Sequence, residues 1–257
     1  DMGHEVYSRP IRDAYLPPEV IQACILRRLK ADLTDALGPD VGVVITVPAY
    51  FDEPRRKATA DAASMAGIDV LDIVNEPTAA ALAFGESIGY LSGGGDVAAE
   101  MTVLVYDLGG GTFDATVIEL ADRRISVLAV EGDHQLGGAD WDERLALHLS
   151  REFCAEHPDA EDPLDDSAGS QALILAAERA KHELTDAEST TAIVAHDGAR
   201  SVITVTRADL EELTAGLLRR TLDLTRACVA AANERGVTRV DRVLLVGGSS
   251  RMPAVAR

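Results

Sequence analysis

Asp107-Leu-Gly-Gly-Gly-Thr-Phe-Asp114 is the stretch whose residue types point most directly to chemistry. Gly109, Gly110 and Gly111 lie between two strand-like runs, as the turn of a hairpin. Glycines allow positive φ and carry no Cβ, so backbone N–H groups can reach phosphate oxygens. Thr112 adds a hydroxyl at the same place. Asp107 and Asp114 bracket the turn at opposite strand ends, where carboxylates can hold Mg²⁺ through its waters. An ordinary Gly-rich hairpin with two solvated aspartates is the plainer alternative, and the full octapeptide is too specific for it. Neither GxxxxGK[ST] nor GxGxxG occurs, so P-loop and dinucleotide-fold readings lose their main support.

Three further segments carry candidate groups. In Asn75-Glu76-Pro77-Thr78-Ala79-Ala80-Ala81, Glu76 falls at the carboxyl end of a strand, where ligand crevices form in α/β sheets. A carboxylate there can orient a water for attack on a γ-phosphate, and it also suits a helix N-terminus. Glu178, Lys181 and Thr185 fall at i, i+3 and i+7, on one narrow helix face opposite the apolar stripe Leu173, Ala177, Ala180 and Leu184. Taken alone, that face reads as a solvated one. Leu244–Pro253 runs from a strand through Gly247 and Gly248 toward a helix start. There Ser249 or Ser250 can cap the helix, and the planar Arg251 guanidinium can stack on a base.

Positioning these groups requires strands and helices in both halves of the chain. The spacing predicts helices at 17–37, 54–66, 77–84, 171–187 and 208–233. Val41–Val47 reads as a strand buried on both faces, and Asp241–Val246 as a last buried strand. Ile68–Val74, Thr102–Asp107, Thr112–Leu120 and Arg124–Glu131 read as further strands, and Thr190–Ala195 with Ser201–Thr206 as a hairpin. Residues 91–99 read as a flexible connection, and His157–Ser170 as an exposed acidic loop. The order implies a two-lobed α/β architecture rather than one doubly wound sheet.

With 47% apolar and 4% aromatic residues, the core must be largely Ala, Val, Leu and Ile. A net charge of −19 argues against nucleic acid or an anionic membrane as partner. No apolar run approaches the roughly 20 residues of a membrane span. Cys24, Cys154 and Cys228 are odd in number and scattered, which fits a reducing cytoplasm rather than a disulfide framework. His148, Cys154 and His157 match no common zinc spacing. The opening Asp-Met-Gly-His reads as the start of an internal fragment.

Together these motifs, with Val47-Pro-Ala-Tyr-Phe51, resemble the nucleotide-binding domain of the heat shock protein 70 (DnaK) family, from about Leu16 to Arg257. The resemblance implies an actin-like ATPase fold, with ribonuclease H-like lobes around a nucleotide cleft, truncated at both ends. Residues 1–95 would be the remainder of the first lobe, with 1–17 the tail of its upper subdomain and 18–95 its lower one. Residues 96–257 would be the second lobe, its lower subdomain at 96–137 and 216–257 and its upper insertion at 138–215. ATP or ADP, Mg²⁺ and K⁺ are the implied cofactors. Asp107, Glu76 and Thr112 would organise the metal and attacking water, and Gly109–Thr112 would hold the β,γ-phosphates. Asp114 would sit in the outer metal shell. Glu178, Lys181 and Thr185 would hold the ribose and adenine edge, while Gly247, Gly248, Ser249 and Arg251 would form the adenosine side. Pro48 and Arg56 match the family's interdomain switch. Implied partners are a J-domain co-chaperone, a nucleotide-exchange factor, and client polypeptides bound by a separate domain that this sequence does not include.

The pattern departs from the family in places. The first phosphate hairpin and the lysine after it have no counterpart here. Ala139, in Gly137-Gly138-Ala139-Asp140-Trp141-Asp142, stands where the family carries an acidic residue, although Gly138 can still approach a phosphate. These departures predict weak ATP binding and negligible hydrolysis by the 257 residues alone. A nucleotide-sensing scaffold that has lost hydrolysis is the competing reading. An actin-like filament protein or a sugar kinase finds no signature.

Overall fold

The computed structural model describes residues 2, 11, 14–88, 100–121 and 124–257. The expected connection at 91–99 and most of 1–17 lie outside those residues. The chain divides into two compact units, Asp1–Val97 and Ala98–Arg257.

The first unit runs α1 (Pro18–Leu37), β1 (Gly42–Val47), α2 (Glu53–Met65), β2 (Asp69–Asn75) and α3 (Glu76–Ser87). β1 and β2 pair in parallel, from Gly42 opposite Asp69 to Val47 opposite Asn75. α2 starts where the Asp52 carboxylate accepts the Arg55 N–H (3.2 Å), and Gly67 at φ +72° turns the chain after it. Its buried face is made of small residues, Ala58, Thr59, Ala62 and Ala63. β1 is not buried on both faces: its exposure alternates, and Val44 is half open. Among the described residues this sheet has two strands, and an apolar run covered on one face alone behaves as an amphipathic strand.

The second unit contains β3 (Met101–Leu108), β4 (Phe113–Ala121), β5 (Arg124–Asp133), α4 (Gly138–Glu156), α5 (Ser167–Asp186), β6 (Ser189–His196), β7 (Ala199–Thr206), α6 (Arg207–Glu234), β8 (Arg242–Val246) and α7 (Pro253–Ala256). One sheet has the order β5-β4-β3-β8, antiparallel except for the parallel β3–β8 pair; β6 and β7 form a separate hairpin. Phe113, Leu145, Leu149, Phe153, Leu173 and Leu184 build one core between sheet and helices, and all are nearly inaccessible. The Tyr106 hydroxyl on β3 meets the Thr221 hydroxyl on α6 (2.6 Å), so the polar tip of a buried ring is satisfied. Cys228 is buried beside it in this core, and burial pushes its thiol up to about 11.

Two further expectations change here. Among the described residues β8 is an edge strand paired with β3, and nothing packs over Val243 and Leu245, which are largely exposed. The 157–170 segment is no plain loop. Pro163–Asp165 forms a 3₁₀ turn with Pro163 buried, and α5 begins at Ser167, where Asp166 caps the Ala168 and Gly169 N–H groups (2.7 and 2.9 Å). Aspartates that read as solvated charge are caps.

Candidate functional site

The loop joining β3 and β4 is Gly109–Thr112, closed by the Gly109 N–H donating to the Thr112 carbonyl (3.0 Å). None of its three glycines has positive φ, so conformational freedom is not why they are glycines. A Cβ on Gly110 or Gly111 would meet open space and one on Gly109 only ordinary contacts, so the tight packing belongs to the residues that dock on the loop. A Cβ on Gly137, just ahead of α4, would lie 2.5 Å from the Gly111 nitrogen and 2.6 Å from its Cα. The Gly138 and Ala139 N–H groups donate to the carbonyls of Gly109 (2.9 Å) and Gly110 (2.8 Å). The first turn of α4 thus docks on the loop, and the loop satisfies donors that a helix start otherwise leaves open.

Asp107 and Asp114 stand directly opposite in the β3–β4 register and share one face of the sheet. Burial raises the Asp107 carboxyl. Asp114 is pushed up from 3.8 to about 6, by burial first and by the Asp107 charge second. Among the described residues its Oδ1 is buried without a hydrogen-bond partner. Gly132 leaves the room it needs, since a Cβ there would lie 2.5 Å from that oxygen. Two crowded, partly desolvated carboxylates with an orphaned oxygen fit a hard cation. No third His, Cys, Asp or Glu joins them among the described residues, so the rest of such a cation's shell falls to water or ligand oxygens.

Without a cation the pair carries a cost that depends on pH. A carboxyl raised in the folded state contributes stability below its unfolded value, near 3.8, and loses it as pH rises through about 6. At pH 7.5 the shift corresponds to about 3 kcal/mol. In Mg²⁺-free buffer Asp114→Asn is therefore expected to raise stability at pH 7.5 by up to that amount, with no advantage near pH 4. Parallel denaturation curves for the two proteins across that range would contradict it.

Beside the hairpin lies a crevice of about 980 Å³, within the second unit. Gly110, Gly138, Glu178, Lys181, Thr185, Gly247, Gly248, Ser249 and Arg251 all line it, and they come from the hairpin, α4, α5 and the turn after β8. Glu178 and Arg251 are exposed on its walls, while Lys181 is buried. The Lys181 Nζ lies 2.8 Å from both carboxylate oxygens of Asp142 and 3.0 Å from the Gly138 carbonyl. Burial raises the Asp142 carboxyl, and the hydrogen bond and charge of Lys181 oppose that rise. Gly247, at φ +85°, packs under the hairpin: a Cβ there would lie 2.5 Å from the Leu108 carbonyl carbon and 2.7 Å from Asp107 Oδ1. Asp107, Gly109, Gly111, Thr112 and Asp114 are held next to the crevice by these contacts rather than lining it.

Neither serine caps a helix. Gly248–Arg251 is a 3₁₀ turn, α7 starts behind Met252 without a side-chain cap, and the Ser250 hydroxyl donates back to the Val246 carbonyl. His182 and Asp186 also line the crevice. They follow Glu178 by four and eight residues, so helical spacing was the signal that would have found them.

In the first unit, Pro48 and Glu76 follow the paired strand ends Val47 and Asn75. Arg56 on α2 donates to the Phe51 carbonyl (3.2 Å), the Ile73 carbonyl (3.5 Å) and the Asn75 side chain. These contacts gather Pro48, Arg56 and Glu76 at one end of the β1–β2 sheet. Arg56→Ala is expected to cost about 2 kcal/mol locally, since bonds to a charged donor are lost. Faster amide exchange at Ile73–Glu76 would report it, and unchanged exchange would contradict it.

A mixed α/β chain with a Gly-rich hairpin docked on a polar crevice narrows the class. A model of the Hsp70 protein family matches residues 4–257, nearly the whole chain, and the chain belongs to the Hsp70 family. It is 42% identical over 263 residues to the protein named Chaperone protein DnaK in Halobacterium salinarum, in strains R1 and NRC-1 alike. Those alignments cover 99% of this chain and 40% of each relative, so the chain spans about 40% of the length of these curated relatives.

Proposed function

We propose that these residues are the ATP-binding and ATP-hydrolysing part of a DnaK-type chaperone, with an actin-like fold. The observation that carries the reading is the crevice in the second unit. Nine residues from four separate segments, each assigned to nucleotide from sequence, line it together. In this reading Glu178, Lys181 and Thr185 hold the ribose and adenine edge, and Arg251 stacks on the base from the Gly247–Ser249 turn. Gly110, Gly111 and the Thr112 hydroxyl serve the phosphates, Gly138 borders them, and the Gly109 N–H stays with Thr112.

Asp107 and Asp114 would hold Mg²⁺, which supplies charge neutralisation at the phosphates; K⁺ is a further ion for the same region. Glu76 would place the attacking water. Pro48 and Arg56 would relay nucleotide state toward a domain that binds client polypeptides. The lobe and subdomain limits at 1–17, 18–95, 96–137, 138–215 and 216–257 belong to the same proposal. So do a cytoplasmic location and the J-domain and nucleotide-exchange partners.

Turnover by these 257 residues alone is proposed to be negligible. The hairpin carries two carboxylates and no cation, and the Lys181 ammonium is engaged with Asp142. Removing a preorganised contact to a developing charge costs about 10²–10³ in rate. ATPase turnover of these residues at a normal chaperone rate would contradict it.

Adenosine, titrated calorimetrically into the chain, tests the site. Binding is expected, and Arg251→Ala is expected to weaken it about fivefold, as loss of a cation–π contact would. A chain that binds neither adenosine nor ADP would sink the reading.

A further inference from the structure

α5 ends without the devices by which a helix usually closes. Its last turn holds no basic residue and carries the Asp186 carboxylate, which the helix dipole disfavours there. Neither Ala187 nor Glu188 has positive φ, so no left-handed cap collects the open carbonyls. The Glu183 carbonyl accepts the Ala187 N–H (3.0 Å). For Leu184 and Thr185 the partner is Arg207, the first residue of α6. Its Nε donates to the Leu184 carbonyl (2.9 Å), and its Nη2 to the carbonyls of Thr185 (3.3 Å) and Ala187 (2.9 Å). Arg207 also meets the Glu188 carboxylate, but that side chain is 84% exposed, and such a pair contributes little. The guanidinium is therefore an external cap for α5, and its charge offsets Asp186 at the negative end of the helix.

Arg207 is itself held in place. The Thr206 hydroxyl accepts the Asp209 N–H (3.1 Å) and the Asp209 carboxylate accepts the Thr206 N–H (2.8 Å), which fixes the start of α6. The Arg207 N–H donates to the Glu188 carbonyl (2.9 Å). The turn gathered in this way carries Thr185 and Asp186, both on the crevice wall. We infer that Arg207 is a positioning residue for the ligand of the crevice. It fixes the last turn of α5 and so places Thr185 and Asp186 against the sugar and base edge, without touching the ligand. Three carbonyls converging on one planar fork fix direction as well as distance, which a flexible ammonium would not. The ligand consequence rests on the nucleotide reading of the crevice; the capping of α5 does not.

The test titrates adenosine and ADP calorimetrically into the whole chain carrying Arg207→Gln, with the buried Trp141 reporting that it is folded. Both ligands are expected to bind about tenfold more weakly than to the wild type, and by the same factor, because the displaced turn serves the part they share. Wild-type affinity for both would overturn the inference. So would a loss confined to ADP, which would place the effect at the phosphates. A Thr185→Val/Asp186→Asn background separates positioning from general destabilisation, with ADP as the probe because it keeps its phosphate contacts. There Arg207→Gln is expected to weaken ADP by less than about twofold, since the groups it places are gone. A further tenfold loss there would overturn the inference. Arg207→Lys keeps the charge without the fork and serves if the glutamine variant does not fold. It is expected to lose about threefold in adenosine affinity, and wild-type affinity would overturn the inference. In the ligand-free protein, amide exchange at Thr185–Ala187 is expected to speed up about tenfold in either variant. Unchanged exchange would overturn the inference. If the wild type binds neither ligand, the nucleotide reading fails, and this exchange alone decides whether Arg207 sets the turn.

Discussion

Gly247→Ala is expected to lower the unfolding free energy of the second unit by about 2–6 kcal/mol, combining backbone strain with an overpacked contact. At φ +85° and ψ 150° the backbone occupies a region open essentially to glycine. The new methyl would also meet the Leu108 carbonyl and the Asp107 carboxylate. Neither can move cheaply, because Asp107 and Leu108 are the last paired residues of β3 before the loop. The strain therefore falls on the hairpin. Trp141, the sole tryptophan, is buried on α4 and reports unfolding of this unit alone. A urea midpoint equal to wild type, followed by its fluorescence, would contradict the packing argument.

Lys181→Met as a single change is expected to cost about 3–5 kcal/mol, because it leaves the Asp142 carboxylate buried without its partner. Asp142 already feels burial as the largest influence on its carboxyl, with Lys181 opposing it. Without that opposition the carboxyl rises further. The single variant should then regain stability as the pH falls, since protonation relieves the buried charge. The double variant with Asp142→Leu should recover most of the loss at neutral pH. A single variant as stable as wild type would mean that the pair is solvated in the folded protein.

The local features of the site were legible because their causes are local. Three glycines between strand-like runs mark a turn, and residues 178, 181 and 185 mark a helix face by spacing alone. What escaped depends on partners far along the chain. Lys181 reads as a surface lysine because Asp142, which buries it, lies 39 residues earlier on another helix. The hairpin glycines suggested unusual backbone angles, yet none has positive φ, and the glycine that close packing requires is Gly137, where the chain approaches Gly111 ahead of α4. That approach is a tertiary fact. β1 and β8 show the same limit: a run of valines and leucines specifies a strand, but what packs on each face of its sheet decides which side chains are covered. His182 and Asp186 could have been found from the periodicity that exposed Glu178. Asp166 was missed as a cap because a helix start inside an acidic stretch resembles solvated charge.

The hairpin, the α5 face and the Gly247 turn form one crevice, and the central claim is that this crevice binds a nucleotide with Asp107 holding its metal. Calorimetric titration of ADP into the wild type and into Asp107→Asn, with and without Mg²⁺, tests that claim most directly. Mg²⁺ is expected to strengthen ADP binding in the wild type and not in Asp107→Asn, while adenosine binds both equally. An Asp107→Asn protein with the affinity and the Mg²⁺ dependence of the wild type would contradict it.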